Sequence, residues 1–217
     1  MTDKPILFSG PMIRALLDGH KTQTRRMLRH PRRAIPDRFI DKPSIYNGRI
    51  VWIGPTGDRD SIKPSHAPGD RLWVRETWHT SPAYEDLKPS EMGGDESILY
   101  AADGLWESWG WGDTGCVEGG RKRPGIHMPR WASRLTLTVT DVRVQRVQDI
   151  NRGDAMEEGC PFANMQDGPD PRDWFRDTWN TLNASRGFAW DANPWVVAIT
   201  FTVHRCNIDQ MEIANAD

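Results

Sequence analysis

"SRLTLTVTDVRVQRVQ", residues 133–148, is the stretch whose reading decides the fold. Leu135, Leu137 and Val139 alternate with polar residues, and Val142, Val144 and then Val147 resume the pattern one step out of phase. A period of two over so many residues predicts a half-buried strand. The change of phase near Asp141 predicts a bulge or bend, the device by which a sheet curls. A long, bent strand of this kind asks for partner strands on both sides.

Working outward, the chain supplies them. "PWVVAITFTV" (194–203) reads as a final strand, "KPILF" (4–8) as a short buried first one, and "RLWVRE" (71–76) as a strand ending at Glu76 after the Pro68-Gly69 turn. "SIYNGRIVWI" (44–53) places Asn47-Gly48 between two β-prone runs, a hairpin signal, and "SILYAA" (97–102) is a further strand. Helices are short. Pro11 opens one that puts Met12, Ile13, Leu16 and Leu17 on one side and stops at Gly19. "NRGDAMEEG" (151–159) has cap residues at its start and a glycine stop, and 170–184 spaces Trp174, Phe175, Thr178, Trp179 and Leu182 along one helical face. No regular alternation of strand and helix is present. The expectation is an α+β chain: a small mixed β-barrel with short flanking helices.

We expect one domain over residues 1–206, with loop-rich insertions at about 29–66 and 79–125, and a frayed tail over 207–217. The second insertion carries "GLWESWGWGDTGCVEGG" (104–120), whose Trp106, Trp109 and Trp111 suit either a lid or a packed-down loop. The eleven tryptophans of the chain are many for 217 residues; each offers a large apolar face and one N–H donor. A net charge of −2 does not advertise a polyanion binder, although residues 20–38 hold seven cations against Asp37 alone. Cys116, Cys160 and Cys206 are far apart, match no zinc spacing and suggest reduced thiols. No secretory segment follows Met1 and no apolar run reaches membrane-spanning length, so a cytoplasmic protein with no membrane partner is expected. The six histidines are scattered, and neither a metal nor a cofactor is called for.

Chemistry concentrates in "GHKTQTRR" (19–26), just past the first helix. In a tight turn or helical end, Lys21 and Thr24 share one side, where a lysine can polarise a hydroxyl or stabilise an oxyanion. Such a lysine needs a carboxylate to orient it. Glu76 is the candidate, because it ends a buried strand among aromatic residues and a bare carboxylate there is costly. The spacing alone is equally that of an ordinary surface pair. Ser9 and Gly10, at the start of the first helix, can bind an anion or simply cap the helix. Arg25 and Arg26 can brace the site or meet a phosphate. Trp73 and Trp78 flank Glu76 and can stack on a flat ring or fill the core. "HMPRWASR" (127–134) can line the opposite wall.

"GHKTQTRR" resembles the G-x-K-T-x-T-x-R signature of the ASCH domain, a PUA-like β-barrel. "PILFSGPMIRALLDGHKTQTRR", "PGDRLWVRETW", "IHMPRWASRLTLTVTDVRVQRVQDI" and "WDANPWVVAITF" stand in the order found in phage- and prophage-associated ASCH-like proteins. The resemblance implies a metal-independent amidohydrolase that removes acyl groups from N4-acylated cytosine nucleosides, with Lys21, Thr24 and Glu76 as its triad and a small-molecule substrate. Other members of the family imply an RNA-binding module or a ribonuclease, with RNA as the partner, so the fold does not by itself choose among these.

Overall fold

The computed structural model describes residues 2–29, 41–108, 119–162 and 168–211. In chain order its strands are β1 (Asp3–Leu7), β2 (Gln23–Met27), β3 (Asp41–Tyr46), β4 (Arg49–Ile53), β5 (Arg59–Ile62), β6 (Arg71–Arg75), β7 (Trp78–Thr80), β8 (Ser97–Tyr100), β9 (Trp106–Ser108), β10 (Lys122–Arg123), β11 (Thr136–Arg146) and β12 (Trp195–His204). The α-helices are α1 (Gly10–Leu17), α2 (Arg152–Glu157) and α3 (Pro171–Asn183).

Where one domain was expected, the chain divides into two compact units. The first comprises Met1–Gly19, Asp70–Thr138 and Val203–Asp217; the second comprises His20–Gly69 and Val139–Thr202. A five-stranded sheet has the order β1-β6-β11-β12-β2. The long strand is present, and its burial changes phase where the sequence does: Leu137 and Val139 are buried, Thr140 and Asp141 exposed, Val142 and Val144 buried again. The division between units falls between Thr138 and Val139.

In the first unit, β1 runs parallel to β6 and β6 antiparallel to the start of β11. Pro5 is tolerated in β1 because that strand lies at the edge, where no ladder bond is asked of its missing N–H. The Ser9 carbonyl receives the Ile13 N–H at 2.9 Å to start α1, Ile13 and Leu16 are buried beneath it, and Gly19 ends it at φ 76°. A second sheet, β10-β7-β8-β9, occupies much of the stretch expected to be loop-rich. Its strands are two to four residues long, too short for a periodic signal. Its inner face packs Trp78, Ile98 and Tyr100 with Met92, Met128 and Ala132.

In the second unit, β12 pairs antiparallel with β2, and β3-β4-β5 form a three-stranded sheet within the other expected insertion. Asn47 (φ 48°) and Gly48 (φ 68°) make the left-handed turn that their sequence predicts for the β3–β4 hairpin. Asn151 caps α2 by accepting the Asp154 N–H. In α3 the buried stripe is Pro171, Phe175, Trp179 and Asn183, a spacing of four; Leu182, expected on that face, is exposed. Phe175 and Trp179 pack with Val147, Ile150, Ala155 and Val196.

The expected barrel is corrected. Among the described residues the sheets stay open, because β1 pairs only with β6 and β2 only with β12, leaving the five-stranded sheet with two edges. The expected tail is corrected for its first residues. Asn207 and Ile208 are buried, and the Asn207 amide donates to the carbonyls of Arg130, Trp131 and Ser133. Residues 212–217, with Trp109, Trp111, Cys116, Arg32, Arg33 and Arg38, lie outside the described residues. Among the described residues no helix is long and apolar enough to cross a membrane.

Candidate functional site

Lys21 is not in a turn or at a helical end. It forms an isolated antiparallel bridge with Glu158, and the chain runs on in extended form into β2. Side chains therefore alternate. Those of Lys21, Gln23 and Arg25 all meet the end of α2, where Asp154, Glu157 and Glu158 stand. Thr24 and Arg26 leave the strand on the other side. The expectation that Lys21 and Thr24 share one side is corrected by this alternation.

The cluster on the Lys21 side is dense and dry. Lys21 is fully buried; its Nζ donates to the carbonyl oxygens of Gln23 and Glu158, each at 2.8 Å, and to Glu158 Oε2 at 2.9 Å. Arg25, 5% exposed, bridges two carboxylates, with Nη1 3.0 Å from Glu158 Oε1 and Nη2 2.8 Å from Asp154 Oδ2. Its guanidinium also lies 5.7 Å from the centre of the Phe175 ring. Gln23 Nε2 donates to Glu157 Oε2 at 2.9 Å. Among the described residues, Gln23 Oε1 and Arg25 Nε are buried without a hydrogen-bond partner.

The electrostatics follow from burial. Loss of water pushes the Lys21 ammonium down from its ordinary value, and Glu158 acts against that shift. Burial lowers Arg26 likewise, opposed by the same carboxylate. Burial on its own would raise the Asp154 carboxyl, but Arg25 and Arg143 overcome it and hold that group below the usual carboxylate range.

The carboxylate of Lys21 is thus Glu158, whereas Glu76 was expected. Glu76 belongs to the first unit, is 2% exposed, and accepts two hydrogen bonds from Arg134, at 2.9 and 3.0 Å. Arg134 also contacts Asp103 and lies 3.9 Å over the Tyr100 ring. Burial pushes the Glu76 carboxyl up, and the Arg134 guanidinium pulls it back. Caught between two carboxylates, Arg134 is held above its ordinary value.

The remaining candidates are placed as follows. Ser9 is exposed at the start of α1 and makes no side-chain cap; Gly10 is half-buried beside Arg14, whose Nη1 donates to the Ala102 carbonyl at 2.6 Å. Trp78 is fully buried in the first unit's core, and Trp73 is 7% exposed with the Arg75 guanidinium 4.3 Å over its ring. Neither presents a free face for stacking. In the basic stretch, Lys21 and Arg25 turn inward to acids and Arg29 lies over the Phe188 ring, so the segment is not a uniform phosphate-facing surface.

Two functional-looking acids, Asp154 and Glu158, were missed. Their signal lies in "GDAMEEG": four residues apart, they fall on one helical face, where like charges repel unless cations bridge them. Arg134 and Asp103 carried no comparable signal. Cys160 is buried and Cys206 half-buried, both as free thiols raised by burial. Among the described residues no group of three His, Cys, Asp or Glu side chains is placed to hold a metal ion.

Compared with protein-family models, with curated proteins and with solved structures, the chain matches none.

Proposed function

We propose that this chain hydrolyses the amide bond of N4-acylated cytosine nucleosides without a metal, with Lys21 as a reacting residue, Glu158 as its positioning residue and Thr24 as the candidate nucleophile. The observation that carries the proposal is Lys21, an ammonium sealed from water against Glu158, with burial pushing its pKa down. A lysine so placed is brought toward the range in which it can exchange a proton near neutral pH. The order of the four sequence blocks adds the substrate class by resemblance.

The reaction adds water across one bond. Oxygen attacks the acyl carbon, a proton reaches N4, the C–N bond breaks, and a carboxylic acid and the cytosine amine leave. The cytosine ring eases departure because its amide nitrogen is conjugated with it. Lys21 carries the proton, while Glu158 fixes its Nζ. Thr24 stands on the opposite strand face, so its part is decided by comparing Thr24→Ser with Thr24→Ala. Activity kept by serine and lost in alanine assigns the attack to the hydroxyl; activity kept by both assigns it to water.

The test is incubation with N4-acetylcytidine and with bulkier N4-acylcytidines, chelator present, following cytidine by chromatography. Release of cytidine is expected, with Lys21→Met slower by at least about 100-fold. Absence of turnover across the acyl series in folded protein, or full activity in Lys21→Met, would sink the proposal.

A further inference from the structure

The sheet β3-β4-β5 has two unlike faces. One buries Ile50, Trp52 and Ile62. On the other, Ser44, Val51 and Ser61 stand in register across the three strands, Ile53 pairs with Arg59, and Tyr46 faces Arg49. This face floors a cavity of about 480 Å³ whose lining includes Lys42, Ser44, Tyr46, Arg59 and Ser61. That volume is within the range of ligand-binding clefts.

The chemistry of the lining is specific. Tyr46 is 67% exposed, an aromatic ring left in water on a strand where a smaller residue would serve the fold. Lys42 is exposed and 4.0 Å from the also exposed Asp149, a pairing that contributes little. Arg49 spends two nitrogens on Ser61, and among the described residues neither Arg49 nor Arg59 has an ion-pair partner. Asp60 is the one acid of the lining; its Oδ1 accepts the Ser61 N–H. The two lining cations Lys42 and Arg59, with Arg49 paired opposite Tyr46 on the same sheet face, two hydroxyls and an open aromatic ring match alternating phosphates and bases.

From this we infer that the β3-β4-β5 face binds single-stranded nucleic acid, with a base stacked on Tyr46 and backbone phosphates on Lys42, Arg49 and Arg59. The complementarity is of charge and of ring: phosphates replace Asp149 beside Lys42, and any base offers a π-face to Tyr46, so recognition tolerates sequence. Duplex does not fit this chemistry, because its bases are already stacked. The inference uses none of the residues assigned to amide hydrolysis, so either can fail without the other.

The test is fluorescence anisotropy of the whole chain with a labelled oligouridylate of about twelve nucleotides. Binding is expected to weaken by about twenty-fold between about 50 and about 200 mM salt, as three single-strand phosphate contacts require. Tyr46→Ala should lower affinity by at least about five-fold, whereas Tyr46→Phe should leave it. Lys42→Ala and Arg59→Ala should each flatten the log–log salt slope by about 0.7. All three positions are exposed or at a strand surface, and circular dichroism verifies that the variants fold. No binding at low salt, binding indifferent to Tyr46→Ala, equal affinity for duplex, or a mononucleotide competing as well as the oligomer would each overturn the inference.

Discussion

The Lys21 ammonium stands 2.9 Å from Glu158 Oε2; its own side chain is sealed from solvent and that of Glu158 is buried. Glu158 is also the partner of Arg25, so one carboxylate answers two buried cations that flank Gln23 on the inward face around β2. A buried ion pair is a poor source of net stability, because desolvation offsets attraction. What it does enforce is mutual dependence: remove one member and the others are left charged in a dry place.

The asymmetry of that cluster gives the first prediction. Glu158→Gln removes the carboxylate of Lys21 and leaves Arg25 with Asp154 alone, and should lose about 3–5 kcal/mol. Lys21→Met leaves Glu158 with Arg25 and should lose distinctly less. Urea denaturation of the two variants checks the order; a larger loss in Lys21→Met would show that Arg25 does not share the carboxylate.

How much of this was legible in the chain depends on distance along it. The signals for β1, α1, the β3–β4 hairpin, β11, α2 and β12 are local: a period, a cap, a turn pair. Each element formed where those signals lie. The partner of Lys21 sits 137 residues away, and no local pattern fixes such a pairing. Glu76 looked suitable because it ends a buried strand, and it does need a cation, but Arg134 meets that need. The strand order β1-β6-β11-β12-β2 is equally non-local, which is why an open sheet was taken for a closed one. The i, i+4 acids of α2 were the one available clue to the cluster.

Asp154 supplies a pH prediction. Its carboxyl is lowered in the folded protein, because Arg25 and Arg143 outweigh burial. Unfolded chain therefore binds the proton first, and stability rises with pH through that interval. The contribution is complete above the ordinary carboxylate value of about 3.9 and disappears as pH falls through the lower folded value. Asp154→Asn should be less stable than the native chain at neutral pH and should show a flatter dependence below about pH 4. Parallel acid titrations of the two proteins, followed by denaturation midpoint, check it. Equal slopes would mean that Asp154 does not titrate against Arg25.

Gly125 links packing to the second acid. A Cβ built there would lie 2.9 Å from the backbone carbon and oxygen of Glu76 and 2.7 Å from Leu7 Cδ1. The leucine methyl can swing aside, but the Glu76 backbone is held at one side by β6 and is in contact with Met128 through its N–H, 3.4 Å from Sδ. Arg75 adds a further tie, donating from Nη1 to the Ile126 carbonyl at 3.1 Å. Gly125→Ala must therefore push Glu76 away from the 125–128 segment and disturb its two bonds from Arg134, a loss of about 1–3 kcal/mol by overpacking. Gly93→Ala is the control, since nothing lies within 4 Å of a Cβ at that position. Thermal melts should separate the two substitutions, and the near-ultraviolet dichroism of the core around Trp78 should change in the first alone. A Gly125→Ala protein as stable as Gly93→Ala would mean that the backbone at Glu76 yields freely, and the clamp on that carboxylate would have to be sought in Arg134 alone.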